Sequence, residues 1–156
     1  MNAEAIADRL GTATEHERRS DGEWLTVPDL NVRAMARLML DNESRFITLT
    51  AIPEDEAYRF VYHWDVEGIV LNVTTRVVDG RATSMADIWP AADWVEREVR
   101  DYYALEFEGR AETPTLMLRA GDRPGLFSRT SEMGRDKDPA DTGWSDAPDA
   151  PKEEDR

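Results

Sequence analysis

The middle of the chain alternates between apolar and polar residues with the period of two that is typical of β strands. Three such runs follow one another, at residues 45–52, 58–64 and 69–78. The residues expected to share one face are Ile47, Leu49 and Ala51 in the first run, Tyr58, Phe60, Tyr62 and Trp64 in the second, and Ile69, Leu71, Val73, Thr75 and Val77 in the third. Because the links between the runs are short and turn-like, adjacent strands should pair as antiparallel hairpins. Residues 23–27 supply a fourth predicted strand.

Three other segments have the spacing of amphipathic helices. A helix is predicted over residues 3–19 from Ala3, Ile6, Ala7 and Leu10, and a second one ends near Leu40, with Asp29 as its N-cap. A third is predicted over residues 91–103, with an apolar stripe formed by Ala91, Val95, Val99 and Tyr102. The opposite charges at i,i+4 in this third helix are Asp93 with Arg97, Glu96 with Arg100, and Arg97 with Asp101.

These elements predict an α+β fold, in which helices pack on one antiparallel-rich sheet of about four strands to form a two-layer sandwich. The apolar pattern fades after Gly109, and Pro, Gly and Asp are scattered from about Thr130 to the end. We therefore divide the chain into an N-terminal helical segment (1–22), an α+β domain (23–109) and an extended, largely disordered acidic tail (110–156).

Composition narrows the possible functions. The 156 residues carry a formal net charge of -14, with nine acidic and four basic residues in the tail segment 131–156, so binding to nucleic acid or to anionic lipid is not expected. There is no run of eighteen apolar residues and no basic region followed by an apolar run at the start. We therefore expect neither direct membrane insertion nor a classical export signal.

The chain has few residues that could carry chemistry. It has no cysteine, which excludes disulfides, thiolate zinc sites and the usual protein-ligated iron–sulfur clusters. His16 and His63 are too few and too poorly spaced for a metal site, and the phosphate-binding, hydrolase and zinc-helix motifs are missing. The acidic residues 54–56 lie in one loop and are expected to be solvated. We expect no catalytic residue, no cofactor and no metal in this chain.

Residues 92–109 carry a family signature, A-D-W-V-E-R-E-V-R-D-Y-Y-A-L-E-F-E-G. The segment resembles the signature of the 30 kDa subunit of NADH:quinone oxidoreductase, roughly A-x-W-x-E-R-E-x-x-D-x-x-G-I-x-F-x-G-H. Besides Ala92, the matching residues, which are the candidate interface residues, are Trp94, Glu96, Arg97, Glu98, Asp101, Phe107 and Gly109. Ala104 replaces the usual Gly and Arg110 the usual His, and the tail is divergent. With these departures, the chain is more similar to the equivalent small subunit of energy-converting nickel–iron hydrogenases than to the 30 kDa subunit of NADH:quinone oxidoreductase.

The resemblance implies a scaffold subunit of a membrane-associated redox complex, with no catalytic residues of its own. Its partners would be a large quinone-reductase or hydrogenase-like subunit and an iron–sulfur small subunit, on the cytoplasmic face of the membrane. The terminal iron–sulfur cluster, and in the hydrogenase branch a nickel–iron site, would belong to those partners. Two alternatives stay open: a free-standing acidic protein-binding module, and a small carboxylate-dependent enzyme that only the abundance of acids supports.

Overall fold

The computed structural model describes residues 3–10, 15–119 and 121–128, and these form three helices and seven strands. In chain order the elements are α1 (Ala3–Leu10), β1 (Glu15–Arg19), β2 (Gly22–Thr26), α2 (Val32–Asp41), β3 (Arg45–Pro53), β4 (Ala57–Val66), β5 (Ile69–Val78), β6 (Arg81–Thr83), α3 (Ala92–Tyr103) and β7 (Glu106–Glu108). The tail prediction from about Thr130 lies outside the described residues.

The main sheet has five strands in the order β1-β2-β5-β4-β3. The β3–β4 and β4–β5 pairs are antiparallel hairpins, as the short links predict, and the α+β fold is confirmed. The β2–β5 pair is parallel, which the sequence pattern does not predict. It arises because α2, β3 and β4 lie between the two strands in the chain, so that β5 returns beside β2 in the same direction. A second sheet contains β6 and β7 in parallel.

The helix predicted over residues 3–19 is confirmed for α1 and wrong for residues 15–19. These residues form β1, which pairs antiparallel with β2. The connecting turn requires Gly22, whose φ is +136°, and a Cβ at this position would overlap the carbonyl oxygen of Val70. All five side chains of β1 are exposed, and four of them are charged. Pairing with the β2 backbone therefore determines the conformation of this edge strand, since its side chains bury little.

Two further local predictions are corrected. The N-cap of α2 is Asn31 rather than Asp29: its side-chain oxygen accepts a hydrogen bond from the Ala34 N–H at 3.0 Å. In β3 the register shifts between Phe46 and Thr48, so Ile47 is 44% exposed while Phe46 is buried. A β-bulge reverses the alternation in this way, because one extra residue moves the following side chains to the other face.

The core lies between the helices and one face of the main sheet. Its largest fully buried side chains are Trp64, Tyr62, Phe60, Ile6, Leu25, Met35, Met39 and Leu71. The residues predicted to share one face of β4 and β5 are buried at Phe60, Tyr62, Trp64, Leu71 and Val73, whereas Ile69 is 49% exposed. On the other face of the sheet, the His63 ring bonds Thr50 Oγ1 at 3.0 Å and Asn72 Oδ1 at 2.6 Å, which gives this histidine a structural role.

Candidate functional site

Helix α3 buries two carboxylates, although its sequence is typical of a helix with a solvated charged face. Glu96 is 2% exposed and Asp101 is 0% exposed. Of the three predicted i,i+4 ion pairs, Asp93 with Arg97 forms at 3.3 Å. Glu96 and Asp101 instead bind groups outside the helix, so the charged residues of the signature connect α3 to the rest of the chain.

Glu96 joins α3 to the loop that follows β6. Its carboxylate accepts hydrogen bonds from Ser84 Oγ at 2.6 Å and from the Met85 N–H at 2.9 Å. Arg110 Nη1 donates a third bond at 2.8 Å. Burial raises the pKa of Glu96 above its ordinary value, and the bonds from Ser84, Met85 and Arg110 offset this rise only in part. The carboxylate therefore organises three donors at the expense of its own solvation.

Asp101 fastens the segment that follows β7. One carboxylate oxygen accepts hydrogen bonds from the Leu116 N–H at 2.6 Å and the Met117 N–H at 2.8 Å. The other accepts from Arg100, at 3.1 Å from Nη2 and 3.3 Å from Nε. Burial alone would raise the pKa of Asp101, but the two backbone N–H groups and the Arg100 guanidinium outweigh it, so this pKa is lowered.

Two arginines of α3 bind backbone carbonyl groups of the same segment. Arg100 donates to the carbonyl oxygens of Thr113 and Pro114, both at 2.8 Å. Arg97 donates to the carbonyl oxygens of Pro114 at 3.2 Å and Thr115 at 3.3 Å. Residues 113–119 and 121–128, called the strap below, therefore lie against α3 through contacts that arginine's several donors are suited to make.

Arg110, which occupies the position where the signature has a histidine, completes this network. Its guanidinium bonds Asp93 as well as Glu96, and its side chain is 12% exposed. The departure from the signature thus places a permanent positive charge beside the buried Glu96 carboxylate. The partners are 14 and 17 residues away in the chain.

The other signature residues have different surroundings. Trp94 is 65% exposed, whereas Phe107 is buried and stacks on Phe60 with 6.0 Å between the ring centroids. Glu98 is half-buried. Gly109 is exposed and has a φ of +83°, which favours glycine in the turn after β7. The signature residues, which are contiguous in the sequence pattern, therefore occupy inward-facing, outward-facing and turn positions in the structure.

Apolar side chains are exposed on the strap as well as at Trp94. Met117 is 52%, Leu126 44% and Phe127 60% exposed, and the Phe127 ring lies 4.8 Å from that of Tyr102. One of these exposed apolar residues lies on α3, and the other three lie on the strap that is bound to α3. We call Trp94, Met117, Leu126 and Phe127 the apolar surface residues.

The arginines of this region bind other groups of the chain. A cavity of about 390 Å³ is lined by Glu96, Arg97, Arg100, Arg110, Thr113 and neighbouring residues, and its three guanidinium groups already donate to protein acceptors. Across residues 3–10, 15–119 and 121–128, no group of three or more His, Cys, Asp or Glu residues could hold a metal ion. Within the same residues, no helix is long and apolar enough to cross a membrane.

Sequence reasoning missed Ser84 and the backbone of residues 113–117 as partners of α3. No local pattern indicates these contacts, because the donors and acceptors are backbone groups or lie 11 to 18 residues away. Arg110, which stands where the signature has a histidine, was one signal in the sequence that this region departs from the signature.

Comparisons with known proteins agree with the signature. The family model for "Respiratory-chain NADH dehydrogenase, 30 Kd subunit" matches residues 25–125, which includes α3 and most of the strap. The C/D subunit of NADH-quinone oxidoreductase from Gluconacetobacter diazotrophicus is 31% identical over 147 residues, covering 79% of this chain and 24% of that relative. The C subunit of the same enzyme from Ruegeria pomeroyi is 32% identical over 96 residues, covering 55% of this chain and 48% of that relative. This chain therefore spans less than half the length of both relatives.

One solved structure extends the comparison to the fold. It is a chain from the membrane-bound sulfane sulfur reductase, an archaeal respiratory membrane complex. The TM-score is 0.62 and the sequence identity 28%, and the alignment covers 74% of this chain and 73% of that chain.

Proposed function

Because the chain belongs to the family of the 30 kDa subunit of respiratory-chain NADH dehydrogenase, we propose that it is a non-catalytic scaffold subunit of a membrane-associated redox complex. In this proposal it packs against a large quinone-reductase or hydrogenase-like subunit, near the terminal iron–sulfur cluster that the partner subunits hold. An iron–sulfur small subunit is the second partner, and the chain lies on the cytoplasmic face of the membrane. The structural neighbour, which comes from a respiratory membrane complex, supports this assignment.

The observation that carries the proposal is that α3 buries its signature acids and exposes its signature tryptophan. The signature acids Glu96 and Asp101 are buried and hold the loop at Ser84 and the strap, while Trp94 points outward at 65% exposure. Such an arrangement uses its charges to shape a surface rather than for acid–base chemistry. Tryptophan is among the residues most enriched where binding energy concentrates at protein interfaces. We therefore propose that the apolar surface residues contact the large subunit.

The role proposed for the signature charges follows from their geometry. The Arg97 side chain is 16% exposed and binds Asp93 and two carbonyl groups of the strap. Its main role in this proposal is therefore to hold the strap against α3. Glu98 is half-buried, and its side chain makes no hydrogen bond within the described residues. It is therefore the signature charge best placed to meet a charge of a partner. Phe107 and Gly109 support the turn from which the strap departs.

The test is co-purification of the native complex from cells that carry a tagged version of the full chain. We expect a large quinone-reductase or hydrogenase-like subunit and an iron–sulfur subunit to elute with the tagged chain. Elution as a monomer with neither subunit would overturn the proposal and favour a free-standing acidic binding module.

A pair of matched variants tests the surface itself. Trp94→Ala should leave the stability of the isolated chain within about 0.5 kcal/mol, because the side chain is mostly exposed. The same change should weaken assembly by about 2 kcal/mol or more, which is roughly thirty-fold in affinity. Val70→Ala is the control, because Val70 is an exposed apolar residue on β5 beside Leu71, whose side chain faces the core. Equal recovery of both variants with the complex would refute a contact at Trp94.

A further inference from the structure

The strap is attached to the fold with little help from apolar burial. Among its described residues, only Gly125 is buried, and none of its apolar side chains belongs to the core cluster or packs against it. A surface segment that buries so little apolar area gains little from the hydrophobic effect. Its position must therefore depend on hydrogen bonds and on the contact of Phe127 with Tyr102 and Tyr103.

One side chain stands at the centre of these hydrogen bonds. The Asp101 carboxylate binds the Leu116 and Met117 N–H groups directly, and its second oxygen holds the Arg100 guanidinium that binds two strap carbonyls. A charged acceptor of backbone N–H groups gives stronger hydrogen bonds than a neutral one. The carboxylate thus acts on the strap at residues 113–117 both directly and through Arg100.

The C-terminal part of the strap, residues 121–128, is also held at the end of α3, but by backbone atoms of the helix. The Gly125 N–H donates to the backbone carbonyl of Asp101 at 2.8 Å, and the Phe127 N–H donates to that of Tyr102 at 2.7 Å. These two bonds do not involve the Asp101 side chain. Both acceptors lie in the last turn of α3, where the carbonyl groups of Asp101 and Tyr102 have no partner within the helix.

We infer that Asp101 is a positioning residue that latches the strap, and that the strap opens and closes on α3 as one cooperative unit while the core stays folded. Such local units of low stability are common where few apolar contacts cross to the rest of the fold. The apolar residues Met117, Leu126 and Phe127 are displayed together only when the strap is closed. On the proposed function, partner binding would then favour the closed strap, but the latch itself is a property of this chain alone.

Amide hydrogen exchange on the full isolated chain tests the inference, with Asp101→Asn as the first variant. Exchange at Leu116 and Met117 should become about 10- to 100-fold faster, because their acceptor loses its charge. The decisive reporters are Gly125 and Phe127, whose bonds the substitution leaves intact. If the strap is one unit, their exchange rates rise by the same factor. Amides in β4 and β5 should keep their wild-type rates.

A second pair of variants covers the case in which Asp101→Asn perturbs the fold more widely. Met117→Pro removes the N–H donor at a side chain that is 52% exposed, and Met117→Ala keeps that donor. We expect faster exchange at Gly125 and Phe127 in the proline variant and wild-type rates in the alanine variant. Unchanged rates at Gly125 and Phe127 in both Met117→Pro and Asp101→Asn would overturn the inference, as would equal acceleration in the core. Failure to bind a large subunit would refute the proposed function and leave the latch standing.

Discussion

Replacing Glu96 by alanine should strongly destabilise the isolated chain, because one carboxylate serves three donors at a buried position. Ser84 Oγ, the Met85 N–H and Arg110 Nη1 would each lose their acceptor. A buried neutral donor without a partner costs about 1–3 kcal/mol, and removing one member of a buried ion pair costs about 3–5 kcal/mol. We expect the free energy of unfolding to fall by about 3–5 kcal/mol, a large fraction of the roughly 5–15 kcal/mol typical of a domain.

Glu96→Gln should be milder. The glutamine oxygen can still accept from the Met85 N–H, while its amide group replaces the oxygen that accepts from both Ser84 Oγ and Arg110 Nη1. Because burial raises the pKa of Glu96 despite its hydrogen bonds, part of the benefit of the ionised form is already cancelled in the wild type. We therefore expect a loss of about 1–2 kcal/mol near neutral pH.

The pH dependence of the free energy of unfolding distinguishes a titrating Glu96 carboxylate from a purely steric contribution. An acid whose folded-state pKa is raised contributes stability that is fully present below its unfolded-state pKa and is lost as pH rises through the folded-state pKa. The glutamine variant lacks this titration. The loss caused by Glu96→Gln should therefore shrink as pH rises from the ordinary glutamate pKa of 4.5 through the raised folded-state pKa of Glu96.

Urea denaturation followed by tryptophan fluorescence would measure these differences, provided that the m-value stays constant. Glu98→Ala is the matched control, since it removes the same charge from a half-buried position of the same helix and should change stability by about 0.5 kcal/mol or less. Equal losses for Glu96→Ala and Glu96→Gln, or a loss for Glu96→Gln that grows with pH, would refute the assignment of Glu96 as a buried acceptor with a raised pKa.

Four further outcomes are expected. Arg97→Ala should lower the free energy of unfolding by about 1–2 kcal/mol and reduce recovery of the chain with the complex. The exposed control Arg59→Ala should do neither. Equal recovery of the two variants would show that Arg97 acts only within this chain. Ala104→Gly should raise the melting temperature by an amount corresponding to about 0.5–1 kcal/mol, because residue 104 caps α3 with a φ of +55°. Gly22→Ala should destabilise by about 2 kcal/mol or more in thermal unfolding, since its Cβ would overlap a β5 carbonyl oxygen. The purified isolated chain should show no visible absorption, because it has no cysteine and only two histidines, and a stoichiometric chromophore would contradict this.

Local patterns were enough to predict the parts of the fold that depend on neighbouring residues. Period-two alternation located β4 and β5, and the short links between runs required hairpins. The amphipathic stripe located α3 within one residue of its observed start, and the signature in that helix indicated the family. These features can be predicted because periodicity and turn chemistry act over a few residues.

The use that α3 makes of its charges depends instead on tertiary contacts. A helical wheel presents Glu96 and Asp101 as members of a solvated, self-paired face, because it contains no information on donors elsewhere in the chain. The structure brings Ser84, the Arg110 guanidinium and the strap backbone to these carboxylates, and their burial is possible because each oxygen has a partner. The edge strand β1 and the parallel pairing of β2 with β5 likewise escape local reasoning, since both are fixed by hydrogen bonds to backbone groups on another strand.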